Sequence, residues 1–265
     1  MSRKILYRVV NSCAPGPFTG NPICVIAEEP EEALMQPIAT QMNLACTIFP
    51  VRTGERSYRM RLFTSEREVA YAGSPSLAAA WVMGPGIWTQ TTPGNVADIE
   101  VTGDMAWLEQ PQPKFAEIND PEVLEAIGLK SLERMYTCQV ASNHYVIAVT
   151  QQEPTTFTPR QDILMRSAIK YGPALIGAVR RVNETEVHAR FFGPAHGVPE
   201  DPACGAVAGA VGTLMHRNYG TGTNIALRQG EEMGRPSRIS VSLDGGKIRM
   251  GGRLVPMQEG VLSLS

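Results

Sequence analysis

Two stretches of this chain repeat one plan, and no other feature constrains the fold as much. In the first, Arg59-Met60-Arg61-Leu62-Phe63 reads as a strand, a polar turn follows, and Gly73 opens a run of small residues that ends at Met83. In the second, His188-Ala189-Arg190-Phe191-Phe192 takes the place of the strand, and Gly205 to Met215 matches Gly73 to Met83 without a gap. The turn from Gly193 to Ala203 is a few residues longer than its counterpart at 64–72. In this register Cys204 is the counterpart of Ala72. Such a duplication predicts two similar halves, 1–115 and 116–265, with the last strand able to return to the first half.

The remaining segments fit this plan. Tyr7 to Val10 reads as a strand, 13–22 as a Gly- and Pro-rich loop, and Ile23 to Ala27 as a buried strand. Leu34, Ile38 and Met42 give a helical period over 31–43. Pro37 fits there only if the regular helix starts near Gln36 or is kinked. Asn43 to Thr47 leads into a strand at 48–51. Ser74 and Pro75 read as the N-cap and first residue of a helix through Met83. Strands are expected at 98–101, 105–109, within 140–149, and at 176–182, with a helix at 160–171. Short strands at 224–228, 238–243, 247–251 and 254–256 finish the chain. Four or five helices among many short strands predict an α+β fold.

The second helix start is where chemistry concentrates. Pro199-Glu200-Asp201-Pro202 is a turn, and Cys204 stands at the first residues of the helix that follows. A helix N-terminus carries unpaired N–H groups and the positive end of the dipole, which favour a thiolate and suit a bound carboxylate. The other cysteines, Cys13, Cys24, Cys46 and Cys138, are widely spaced and form no CxxC pair, so neither a zinc site nor a disulfide framework is expected. Cys24, Cys13 and Cys138 read as small buried apolar residues. A net charge of −2 argues against nucleic-acid or membrane-surface partners. No apolar run is long enough to span a bilayer, and Arg8 interrupts any signal-peptide core, which predicts a cytoplasmic protein. No phosphate loop or dinucleotide fingerprint is present, so no cofactor or metal is expected.

Phe18-Thr19-Gly20-Asn21-Pro22, Gln41-Met42-Asn43-Leu44, Arg61-Leu62-Phe63-Thr64, Ala72-Gly73-Ser74-Pro75, Glu200-Asp201-Pro202-Ala203-Cys204-Gly205 and Met233-Gly234-Arg235-Pro236-Ser237 fall in one order. That order resembles the PhzF-like (phenazine biosynthesis) family of the diaminopimelate epimerase-like superfamily. The resemblance implies two pseudo-symmetric α+β halves, each a sheet wrapped around a central helix, with the active site between them; homodimers are frequent in the family. The chain departs from the family at chemical positions. The usual Glu is Cys46, the usual His is Ser74, the usual Thr is Cys204 and the following Ser is Ala206. The Glu/His pair of the phenazine-pathway isomerase is therefore missing. Ala203-Cys204-Gly205 instead resembles the segment that holds one catalytic cysteine of diaminopimelate epimerase and proline racemase. On this resemblance Cys46 and Cys204 form a thiol pair across the cleft.

Inverting a carbon needs a base on one face and an acid on the other, and two thiols of similar proton affinity can exchange these roles. Helix starts at Gly73-Ser74 and Gly205-Ala206 would hold the substrate carboxylate and its developing enolate charge. The expected activity is that of a cofactor-independent isomerase of a small carboxylate, a racemase or epimerase by preference over an allylic isomerase. The alternative is a PhzF-like ligand-binding protein that has lost catalysis. Asp201 either assists catalysis or anchors its turn. Asn21 serves its turn or reaches the substrate. His196 ranks below the cysteines as a lone loop histidine, and Arg180-Arg181 reads as a solvated strand end. Substrate selection is expected from the loops 13–22, 141–144 and 193–199.

Overall fold

The two small-residue runs form the helices at the centre of each half. The structure, a computed structural model, describes residues 3–264. Helix α2 (Gly73–Met83) is buried at every position from Gly73 to Ala80, and α5 (Gly205–Tyr219) at every position from Gly205 to Met215. A helix buried on all sides must be interior. Gly, Ala, Ser and Val keep these two thin enough for strands to close around them.

The first half contains β1 (Arg3–Ser12), β2 (Asn21–Val25), α1 (Glu32–Met42), β3 (Cys46–Gly54), β4 (Ser57–Phe63), β5 (Glu68–Val69), α2, β6 (Gly86–Thr92), β7 (Asn95–Thr102) and β8 (Met105–Gln110). The second contains β9 (Lys114–Ile118), α3 (Pro121–Ile127), β10 (Arg134–Val140), β11 (Asn143–Val149), α4 (Gln161–Lys170), β12 (Leu175–Arg181), β13 (Glu186–Gly193), β14 (Val198–Asp201), α5, β15 (Asn224–Gln229), β16 (Ser237–Asp244) and β17 (Lys247–Leu264). Alternate residues of β7 are buried, as a strand with one wet face requires.

The pairing repeats. β2 and β3 are parallel across α1, as β11 and β12 are across α4. β4 and β6 are parallel across α2, as β13 and β15 are across α5. Antiparallel pairs fill the remaining places, β3 with β4 and β12 with β13 among them. β17 pairs with β16, β8 and β1, so the ring β1-β2-β3-β4-β6-β7-β8-β17 closes on itself as an eight-stranded barrel around α2. The α+β class is as the repeat predicts. One apolar cluster spans both halves, joining Leu77 and Ala78 of α2 to Val207 and Val211 of α5.

Several local expectations need correction. α1 starts at Glu32, not near Gln36, and has Pro37 in its interior, with Met35, Ile38 and Ala39 buried. Packing of that face in a cluster with Phe49 and Phe63 holds the turn despite the missing N–H. α5 continues past Met215 to Tyr219 and stops at Gly220, whose φ of 66° suits glycine. The strands expected at 247–251 and 254–256 are one 18-residue strand, β17. α3, β6 and β9 lie where the sequence patterns are too short to announce them. Among the described residues no helix is long and apolar enough to cross a membrane.

The central helices touch backbone to backbone. A Cβ on Gly73 would lie 2.5 Å from the carbonyl carbon of Gly205 and 2.7 Å from the nitrogen of Ala206; one on Gly205 would lie 2.7 Å from the nitrogen of Ser74. Backbone on both sides leaves little room to yield. Gly73→Ala and Gly205→Ala are each expected to destabilise the fold by about 1–3 kcal/mol in urea unfolding. Gly16→Ala, at a position with open space around it, should stay within about 1 kcal/mol of the parent. Equal stability of all three variants would refute the packing role.

Candidate active site

The N-termini that meet at Gly73 and Gly205 carry the matching residues of the repeat. Ala72 is the N-cap of α2 and Cys204 that of α5. Ser74 therefore sits inside the helix, not at its cap. Its hydroxyl donates to the Ala203 carbonyl (2.8 Å) and accepts from the Asn21 side-chain amide (3.2 Å), tying α2 to the turn before α5. Gln110, at the end of β8, fixes α5 from the other side. Its Nε2 donates to the carbonyls of Gly205 and Ala206 (both 3.1 Å), and its Oε1 accepts from the Gly209 N–H (2.9 Å).

A cavity of about 330 Å³ opens at this junction. Cys46, Cys204, Asp201, Asn21, Gly73, Ser74, Gly205 and Ala206 all line it. Cys46 is the first residue of β3 and Asp201 the last of β14, so the two halves bring their groups to one space. His196 also reaches the wall. Its Nε2 bonds to the Pro173 carbonyl at 3.0 Å, and burial lowers its pKa, which keeps the ring neutral. Cys13, Cys24 and Cys138 are buried away from this cavity's lining, and all five cysteines are free. Arg180 is ion-paired to Glu153 at 2.9 Å, at the end of its strand.

Asp201 is the charged centre. Its carboxylate accepts from the Ala203 N–H (2.9 Å), from the Asn21 amide (3.4 Å) and from the Cys204 thiol. Burial pushes its pKa up to about 6, and neighbouring Glu200 adds to the rise against the bonds from Ala203 and Cys204. Glu200 is held by a two-pronged bond from buried Arg190, at 2.8 and 2.9 Å. The strand that carries Asp201 is thereby fastened to β13. Gln229 closes the turn: its Oε1 accepts from the Cys204 N–H at 3.2 Å.

The thiols titrate in the direction opposite to the one expected from the helix N-terminus. Burial lifts Cys204 well above the usual thiol range, and the Asp201 charge lifts it further; only the Val207 N–H opposes. Cys46 is pushed up to about 12 by burial, against a backbone bond from Phe63, with Asp201 and Cys24 adding to the rise. A helix terminus is worth about 0.3–1 kcal/mol, less than one pKa unit, whereas full burial moves a group by up to about 3–5 units. Burial prevails, and the resting site holds two thiols beside one carboxylate.

Sequence patterns do not announce the other wall residues. Tyr71, Arg67, Asn143 and Tyr145 line the cavity as well. Tyr71 directly precedes the Ala72-Gly73 motif, and Asn143 falls in the 141–144 loop, but nothing in spacing alone brings those two segments together. The Asn143 amide joins them by donating to the Tyr71 carbonyl at 3.1 Å.

Two halves with matching strand pairings, whose central helix starts meet at one cavity, make a fold that this chain shares with solved PhzF-family and proline racemase-type structures. A Pseudomonas aeruginosa protein described as a predicted epimerase superposes with a TM-score of 0.84 at 25% identity, over 98% of this chain and 100% of that one. A hydroxyproline epimerase from Agrobacterium vitis shares the fold at a TM-score of 0.65 and 10% identity, over 99% of this chain and 93% of the other. The chain itself belongs to the PhzC-PhzF family of phenazine biosynthesis-like proteins, which matches residues 10–260. The trans-2,3-dihydro-3-hydroxyanthranilate isomerase of Pseudomonas aeruginosa is 29% identical, over 92% of each chain. An uncharacterized isomerase of Pasteurella multocida is 28% identical, over 97% of this chain and 93% of the relative. The protein is thus an enzyme of isomerase type.

The titration order has a measurable consequence. Asp201 holds the Cys204 proton in place, so Asp201→Asn should lower the pKa of Cys204 and speed its alkylation by iodoacetamide at pH 8 several-fold, read by peptide mass spectrometry. The Asp201 contribution to stability should fall as pH rises from about 4 to about 6, read as the difference in slope between the parent and Asp201→Asn, because the buried carboxyl holds its proton more tightly folded than unfolded. Asp201→Asn should remove that contribution. Unchanged alkylation and an unchanged slope would show that Asp201 does not govern the site's charge.

Proposed function

We propose that this isomerase moves a proton on a carbon of a small carboxylate substrate, using Cys46, Cys204 and Asp201. The observation that carries the reading is geometric: the Asp201 carboxyl, held by the Ala203 N–H and the Asn21 amide, lines one cavity with the Cys46 and Cys204 thiols, and burial raises its pKa to about 6. A base is most effective when its pKa lies near the working pH. Neither thiol meets that condition alone, and Asp201 supplies it.

The proton balance closes around a single negative charge. Cys204 sulfur takes the substrate proton while its own S–H proton passes to Asp201. The electron pair left on carbon spreads into the substrate carboxylate as an enolate. Cys46 then delivers its proton to carbon, and the resulting thiolate regains a proton from Asp201. Return to the opposite face of the same carbon gives racemisation or epimerisation. Return to a vinylogous carbon gives an allylic shift. First-turn N–H groups of α2 and α5 support the substrate carboxylate. The scheme calls on no cofactor.

The substrate of the Pseudomonas isomerase is not carried over to this chain. Cys46 and Ser74 stand where PhzF-like isomerases place Glu and His, so this site would transfer protons with different groups. Symmetric thiols favour a reaction that is itself symmetric, and the racemase or epimerase form is preferred on that ground.

Solvent deuterium incorporation across a panel of amino and hydroxy acids tests the proposal. Cys46→Ser, Cys204→Ser and Asp201→Asn should each lower exchange by about 100-fold or more. For the parent enzyme, kcat/KM should rise with pH through an acid limb near 6 as Asp201 ionises. Exchange that survives removal of either thiol would rule out the pair. Ligand binding without any exchange would instead favour a binding protein.

A further inference from the structure

Two tyrosines that line the cavity, Tyr71 and Tyr145, carry hydroxyl hydrogens with no acceptor among the described residues. The Tyr71 hydroxyl oxygen accepts from Gln110 Nε2 at 3.4 Å, and the Tyr145 hydroxyl oxygen accepts from Asn143 Nδ2 at 3.1 Å. Neither amide can be turned over. Gln110 must present its nitrogen there because the same nitrogen serves the Gly205 and Ala206 carbonyls while its oxygen receives the Gly209 N–H. Asn143 must present its nitrogen because it also serves the Tyr71 carbonyl. Both phenols are thus acceptors toward the protein, and each keeps its own O–H hydrogen to give. Both rings are buried, both line the cavity, and both lie close enough to Cys204 to interact with it electrostatically, as Tyr145 does with Tyr71.

We infer that Tyr71 and Tyr145 form a two-phenol oxyanion site that donates hydrogen bonds to the enolate oxygen of the reacting substrate. This rests on the proton-transfer reading above for its occupant, and on the hydrogen-bond directions for its existence. Burial pushes the Tyr71 phenol up to about 12 and Tyr145 well above its usual value, so both keep their hydrogens at neutral pH. Donors held in advance stabilise charge that develops during the reaction more than charge already present in the ground state. The phenols would then complement the helix N-termini: backbone N–H groups anchor the carboxylate, and the bonds from the tyrosines strengthen as the enolate forms.

The test uses the whole protein and two probe anions measured by calorimetry. Pyrrole-2-carboxylate has a trigonal carbon next to its carboxylate and copies the planar enolate; cyclopentanecarboxylate has a tetrahedral one. The parent is expected to prefer the planar anion. Tyr71→Phe and Tyr145→Phe, which keep the ring volume, should each reduce that preference about tenfold, and the double variant should abolish it. Melting curves check folding. Should a variant fail to fold, replacing all tyrosines by 3-fluorotyrosine, a more acidic phenol and stronger donor, should instead tighten the planar anion. No preference in the parent, or a preference untouched in the phenylalanine variants and by fluorination, overturns the site. If the tyrosine variants lose the preference while no protein shows deuterium exchange, the phenol site stands and the proton-transfer reading falls. If exchange occurs and the preference survives in the variants, the proton-transfer reading stands and the phenol site falls.

Discussion

Two helices point their N-termini at each other and touch through bare backbone. Like-signed dipole ends repel, and they do so most where water is excluded. The arrangement therefore needs negative charge or hydrogen-bond acceptors close by, and these are present. Ser74 donates across the junction to the Ala203 carbonyl, Gln110 clamps the first turns of α5, and the Asp201 carboxylate accepts from the Ala203 N–H in the turn before α5. An anion-seeking cavity follows from the fold before any particular substrate is considered. Glycine at positions 73 and 205 is what lets the contact exist, since a Cβ at either would meet backbone.

The site's charge is set by competition between burial and polar contact, and burial prevails at every sulfur. One carboxyl remains ionisable near neutrality because it is bonded by a backbone N–H, an amide and a thiol. The surrounding thiols and phenols stay protonated. Such a site stores protons and holds one charge that can be handed around. That suits chemistry in which a hydrogen leaves carbon and another arrives without net change.

The fold is legible in the sequence because its repeat is written in residue size. Glycine followed by alanine, serine and valine can be seen at 73–83 and again at 205–215, and small residues on every face are what a tightly enclosed helix requires. Local rules fail where distant packing decides. Pro37 should interrupt a helix by its own chemistry, yet tertiary contacts hold that helix together. A Ser-Pro pair fits a helix cap, yet the partner of Ser74 is the carbonyl of a residue far along the chain. Cys204 and Asp201 are visible from their motif, but not the sign of the thiol's pKa shift, which depends on how completely the halves exclude water. Gln110 and Tyr145 are invisible for the same reason: their meaning lies in which segments meet.

The last strand belongs to both halves. Its early residues pair with β16 and β8, and Leu254 to Leu264 pair with Ser12 back to Arg3, residue by residue apart from one bulge near Val9 and Val10. The barrel around α2 is therefore closed by a strand that also pairs with β16 of the second half. Without that strand the edges of β1 and β8 would be open to any strand that reached them. The halves look like two units joined end to end, but one strand pairs within both, so neither sheet is whole without it.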